Sequence, residues 1–183
     1  SNAKRDGGLR GGRMNRVIIN VASVLREVGR EEEYRKQIEL SPLVKNSDVI
    51  DFSVPVEADL RLTNTGSGIL VRGRIKGALR LNCSRCLCDF NMPAEIDLQD
   101  LYVAEEPEEE RFRIVGETID IGPAVDEGFL LEIPIAPLCD AACKGICPVC
   151  GGNLNVEECE HEVREYDERL KVLEKWLKEH GQE

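Results

Sequence analysis

Apolar and polar residues alternate most clearly over residues 54–63. Val54, Val56, Ala58, Leu60 and Leu62 share one side, and Pro55, Glu57, Asp59, Arg61 and Thr63 the other. A period of two predicts a half-buried β-strand, and Pro55, which cannot donate to a ladder, points to an edge position. Asn64-Thr65-Gly66-Ser67-Gly68 is a turn signal, and a second strand is predicted over Ile69–Asn82. Phe90, Met92, Ala94, Ile96 and Leu98 set out a third alternating stretch. Successive strands with a short turn predict an antiparallel sheet rather than a doubly wound parallel one.

Residues 17–25 begin strand-like and continue as a short helix ending near Gly29, while the mixed charges of 30–40 assign no element. A helix is predicted over 120–133, with Ile121, Val125, Phe129 and Leu130 on one side and Pro123 in its first turn. Pro134 and Pro137 then impose extended chain. Val163, Tyr166, Leu170, Leu173 and Leu177 recur at helical spacing. Their stripe predicts a C-terminal helix packed on the core, with a dimer contact as the alternative. Seven acids and no base lie in residues 97–110, the signature of a solvated loop. The expected class is α+β: an antiparallel β-sheet with flanking helices and a zinc-ribbon-like cysteine-rich C-terminal half. It divides into a tag scar and flexible basic arm (1–16), a sheet domain (17–138) and the cysteine-rich segment with its C-terminal helix (139–183).

Hydrophobic residues make up 42% of the 183 and aromatics 4%, so the core must be mostly Val, Ile and Leu. No apolar run approaches the roughly 20 residues that cross a bilayer. The net charge of −11, from 35 acids and 24 bases, argues against a general nucleic-acid coat. Ser1-Asn2-Ala3 reads as a tag-cleavage scar, and residues 4–16 carry five bases and one acid among glycines, as a flexible arm would. Asn20 and Ser23 interrupt the apolar run that follows, no small-residue cleavage site appears, and a cytoplasmic protein is expected. Eight thiols in a reducing compartment suggest metal rather than disulfides.

Those cysteines fall in two clusters: Cys83, Cys86 and Cys88, then Cys139, Cys143, Cys147, Cys150 and Cys159. In Cys147-Pro148-Val149-Cys150-Gly151 a tight turn aims backbone N–H groups at the first sulfur. Pro148 fixes one dihedral, and Gly151 supplies the positive φ by which the chain leaves. Cys159 and His161, nine and eleven residues beyond Cys150, can close a tetrahedral site. Cys83-Ser84-Arg85-Cys86 has the same CxxC spacing, and Cys139 with Cys143 can complete a second, all-cysteine set. The competing arrangement is one site from the two CxxC pairs, with Cys139, Cys143 and Cys159 as spectators. Zinc, one ion or two, is preferred over iron because a histidine is available. A closed four-ligand site holds chain together and offers no position for substrate. Cys88 has no evident partner and reads as a small buried residue.

Residues 61–87 carry six bases and no acid. Arg72, Arg74, Lys76 and Arg80 share one face of the second strand, with Val71, Ile75, Leu79 and Leu81 on the other. This face is either a solvated one, paired with acids such as Glu57 and Asp59, or an anion-binding stripe that contacts RNA phosphates and leads into Arg85. Without interleaved aromatics, base stacking is not expected. Neither CxxC pair follows the βαβ pattern of thioredoxin chemistry, and with only His161 and His180 no hydrolytic constellation forms. No enzyme is expected.

The run Cys83-Ser84-Arg85-Cys86-Leu87, then Leu131-Glu132-Ile133-Pro134, Pro137-Leu138-Cys139 and Cys143-Lys144-Gly145-Ile146-Cys147-Pro148-Val149-Cys150-Gly151-Gly152-Asn153-Leu154-Asn155, resembles the YceD family. These are the large ribosomal RNA subunit accumulation proteins. The resemblance implies a non-enzymatic role in the synthesis, processing or accumulation of large-subunit (23S) ribosomal RNA, and supplies no catalytic residues. Many members end the second cluster in Cys-x-Cys, where this chain has Cys159-Glu160-His161. Two kinds of partner follow, a ribosomal RNA precursor or large-subunit ribosomal proteins. The second would make the chain a zinc-stabilised adaptor that binds ribosomal proteins without direct RNA contact.

Overall fold

The computed structural model describes residues 15–45, 48–105 and 112–161, together with Val172 and Trp176. Along the chain run β1 (Ile18–Asn20), α1 (Ala22–Leu25), β2 (Glu31–Ile38), β3 (Leu43–Lys45) and β4 (Asp48–Phe52). Then come β5 (Val56–Asn64), β6 (Ile69–Asn82), β7 (Asp89–Tyr102), β8 (Thr118–Asp120) and α2 (Gly122–Glu132). Two compact units result, one from the chain up to Cys83 with Cys88–Cys139, the other from Ser84–Leu87 with the chain from Asp140 onward.

In the first unit every named strand pairing is antiparallel. The 14-residue β6 organises the sheet, because β7 pairs along its whole length. Its other edge takes β5 as far as Lys76 and then β4 at Leu79 and Arg80. Outside these lie β2 on β5 and β3 on β4. Val56, Ala58, Leu60 and Leu62 of β5 are buried together with Val71, Ile75, Leu79 and Leu81 of β6 and Ala94, Ile96 and Leu98 of β7. α2 covers this face with Val125 and Phe129, whose ring meets Phe52 edge-on at 5.1 Å. Burial of alternate residues therefore follows the sequence period, as hydrophobic transfer requires.

The strand predicted over 54–63 begins at Val56, and β5 lies inside the sheet between β2 and β6. Pro55 is compatible with an interior strand because it precedes the ladder instead of joining it. Residues 97–102 of the acidic run continue β7, and residues 106–111 lie outside the described chain. The helix begins at Gly122 because Asp120 belongs to β8, which pairs β1. Cys88 is exposed, since its carbonyl closes a turn by accepting the Cys83 N–H at 2.9 Å and its side chain faces outward. Asn15, placed in the arm by sequence, is buried: its N–H and its amide both donate to Asp126, each at 2.7 Å, while Ser41 N–H donates to its Oδ1 at 2.7 Å. The C-terminal stripe of Val163, Tyr166, Leu170, Leu173 and Leu177, like arm residues 1–14, lies outside the described residues. No helix among the described residues is long and apolar enough to cross a membrane.

Candidate metal centres and candidate nucleic-acid interface

Where β6 ends, the Cys83 N–H···O=C Cys88 bond closes a turn that places Cys83 and Cys86 in buried positions. Leu87 completes this turn at φ 60°. A second turn is stitched by Asp140, whose side chain accepts from Ala142 N–H at 2.7 Å and whose carbonyl accepts from Cys143 N–H at 3.1 Å. The ligand atoms of Cys83, Cys86, Cys139 and Cys143 all lie within 4.8 Å of one another. Cys139 alone of the four is exposed.

The second set comprises Cys147, Cys150, Cys159 and His161, also within 4.8 Å. Its knuckle is built as the spacing predicts. Cys147 N–H donates to Gly152 O and Gly151 N–H to Cys147 O, both at 2.8 Å, while Gly151 sits at φ 74°. Val149 N–H points at Cys147 Sγ from 3.4 Å. Backbone N–H groups of Cys150 and then Val149 stabilise the thiolate and hold Cys147 down to about 6. Cys159 moves the other way. The His161 N–H favours its ionisation, but the Cys147 sulfur, burial and Cys150 together outweigh it.

Cys159 Sγ lies 3.3 Å from Cys147 Sγ, 3.7 Å from Cys150 Sγ and 2.7 Å from His161 Nδ1. Sulfurs this far apart are not disulfide-bonded, since an S–S bond is about 2.05 Å. A tetrahedral zinc with bonds of about 2.3 Å separates its sulfurs by about 3.8 Å, close to the Cys150–Cys159 value. A divalent cation held among these sulfurs would neutralise thiolate charge there. The donor set therefore fits a thiophilic divalent metal. The alternative single site from Cys83, Cys86, Cys147 and Cys150 does not form, since each CxxC pair groups with later ligands instead.

Cysteine and histidine spacing assigns Asn155 no part in either thiol set. Its Oδ1 accepts from Lys144 N–H at 2.7 Å and its Nδ2 approaches Cys143 Sγ at 3.3 Å. Arg85, counted with the basic strand, donates from Nη1 to Cys143 O at 3.0 Å. An Asn or Arg beside a knuckle carries no local signal of this kind.

On β6, Arg72, Arg74, Lys76 and Arg80 are exposed on one face as expected. Glu57 and Asp59 do stand opposite Lys76 and Arg74 in register. The ion pairs form on the other flank instead: Arg74 and Lys76 meet Glu95 of β7 at 3.1 and 3.5 Å. Asp59 is engaged by Arg35 at 3.0 Å, and Arg61 reaches Glu31 and Glu33 only at 3.8 and 3.9 Å. Among the described residues Arg72 and Arg80 have no ion pair. Arg72 faces Arg61 on one side and Gln99 on the other, in a depression of about 490 Å³ also lined by Arg35, Glu31 and Glu33.

A family model described as large ribosomal RNA subunit accumulation protein YceD matches residues 71–177, which include both thiol sets and β6 from Val71. An uncharacterised Bacillus subtilis protein, YlbN, is 35% identical over 153 residues, covering 80% of this chain and 88% of that one. An uncharacterised Mycobacterium tuberculosis protein is 30% identical over 135 residues, 70% of this chain but 65% of its own length. The chain thus matches somewhat under two thirds of the mycobacterial relative. Arabidopsis thaliana has a protein named large ribosomal RNA subunit accumulation protein YCED homolog 1, chloroplastic, 48% identical over 42 residues, which are 23% of this chain and 13% of that one. No solved structure matches. With the family model spanning more than half the chain and the Bacillus relative most of it, the chain belongs to the YceD family.

Proposed function

We propose that this protein is a non-enzymatic, cytoplasmic factor promoting the synthesis, processing or accumulation of large-subunit (23S) ribosomal RNA. Two structural zinc ions brace it. Cys83, Cys86, Cys139 and Cys143 would hold one, and Cys147, Cys150, Cys159 and His161 the other, giving a zinc-ribbon-like C-terminal half. The observation that carries this reading is the family match across both thiol sets. A zinc ion would supply thiolate neutralisation and chain cross-linking; with four protein ligands it leaves no position for substrate.

RNA contact falls first to Arg72 and Arg80, whose charges no carboxylate neutralises among the described residues, and less to Arg74 and Lys76. Arg85 would act within the cysteine turn, through the Cys143 carbonyl. The Glu95 pairs also favour a second reading, an adaptor that meets basic ribosomal proteins through acidic surface and leaves RNA untouched. Depletion in cells tests the shared function: 23S RNA should fall relative to 16S RNA, and an unchanged ratio rejects both readings. Crosslinking in intact cells separates them. RNA adducts at β6 support direct contact, and protein adducts alone support the adaptor.

A further inference from the structure

Asn155 stands in the loop between Cys150 and Cys159, yet its side chain serves the other thiol set. Lys144 N–H can only donate, so the 2.7 Å bond it makes fixes Oδ1 of Asn155 toward it and turns Nδ2 toward Cys143 Sγ at 3.3 Å. The same loop holds the side chain in place: Asn153 Oδ1 accepts from both Asn155 N–H at 3.0 Å and Nδ2 at 2.7 Å. Ile146 bridges to Asn153, and Leu154 N–H donates to Gly145 O at 2.9 Å. The loop is thus tied to the strand-like segment that enters the Cys147 knuckle. An amide N–H directed at a sulfur complements the charge of a metal-bound thiolate and fixes its orientation. Ordering the loop through Cys147, Cys150, Cys159 and His161 would therefore improve a ligand of the set Cys83, Cys86, Cys139 and Cys143.

We propose that Asn155 is a positioning residue that couples the two metal sites, so that filling the histidine-containing site raises the metal affinity of the all-cysteine site. This rests on the two-site metal reading above. Outer-shell partners of metal ligands typically contribute about 10–100-fold in affinity. Asn155→Asp is the sharpest variant, because it keeps the acceptor for Lys144 N–H and replaces the Nδ2 group that donates to Cys143 Sγ and to Asn153 Oδ1. Asn155→Ala removes both and serves as the second variant.

The test titrates metal-free, reduced full-length chain with cobalt(II), reading thiolate-to-metal charge transfer, with zinc competition for affinities. Wild type should take up two ions; fewer than two overturns the metal reading itself, independently of the coupling. Asn155→Asp and Asn155→Ala should each still bind two ions, with the all-cysteine site weakened about 10–100-fold and the histidine-containing site changed less than about threefold. Cys159→Ser, which disables the histidine-containing site, should weaken the all-cysteine site in wild type but not further in either Asn155 variant. Equal effects of Cys159→Ser in both backgrounds, or unaltered all-cysteine affinity in the Asn155 variants, would overturn the coupling. Loss of all cobalt binding in Asn155→Asp would also overturn it, because the role would then be general folding.

Discussion

Asp126 is a carboxylate buried against the core, held by two donors from Asn15. Burial pushes it above the ordinary carboxylate range; the Asn15 hydrogen bonds oppose the rise and Asp120 adds to it. A group raised on folding favours the folded state when protonated. Its contribution is complete below the unfolded value near 4 and is lost as pH rises through the elevated folded value. The difference in melting temperature between wild type and Asp126→Asn should therefore shift against wild type as pH rises across that window, then level off. A flat difference across the window would remove the assignment. Glu95 sets the charge of the β6 face, because this one carboxylate engages both Arg74 and Lys76. If β6 contacts RNA directly, Glu95→Gln should strengthen binding to a 23S fragment and steepen its salt dependence by about one to two phosphate contacts. Arg72→Glu should weaken it. Unchanged binding in both variants would favour the adaptor.

At the scale of elements, β6 tolerates its neighbours only through a glycine. Gly73 has φ 150°, and a Cβ there would lie 2.2 Å from the carbonyl oxygen of Asp59 and 2.8 Å from Cα of Leu60. Both obstacles are backbone, so Gly73→Ala should force β5 and β6 apart and destabilise the fold by about 2–4 kcal/mol in chemical denaturation. α2 has a more economical device at its end. Ile133 turns extended before Pro134, and Lys45 Nζ donates to the carbonyls of Leu130 and Ile133, both at 3.0 Å. Lys45→Met retains the aliphatic stem but leaves these acceptors without the cation, and should cost about 1–2 kcal/mol by the same measurement.

For the whole molecule, what the sequence made legible follows burial. β5, β6 and β7 alternate because one face packs on α2 and the other meets water, and the pattern named their faces correctly. β2 went unread because only Tyr34 and Ile38 along it are even partly buried, so an edge strand wrote no period into its residues. β3 and β4 are too short to show one. Spacing identified the eight candidate ligands but left their grouping open, since partnership depends on where distant turns meet. It missed Asn155, Arg85's bond to Cys143 and the choice of Glu95 over Asp59 for the same reason. The net charge also reads differently, because part of the acidity lies beside the basic strand and pairs with two of its cations, Arg74 and Lys76. The proposed function has two four-ligand metal centres bracing this member of the YceD family. Metal content of the full-length protein, purified under reducing conditions without chelators and measured by plasma mass spectrometry, tests it most directly. Two zinc ions per chain are expected, and one or none would overturn the two-centre reading.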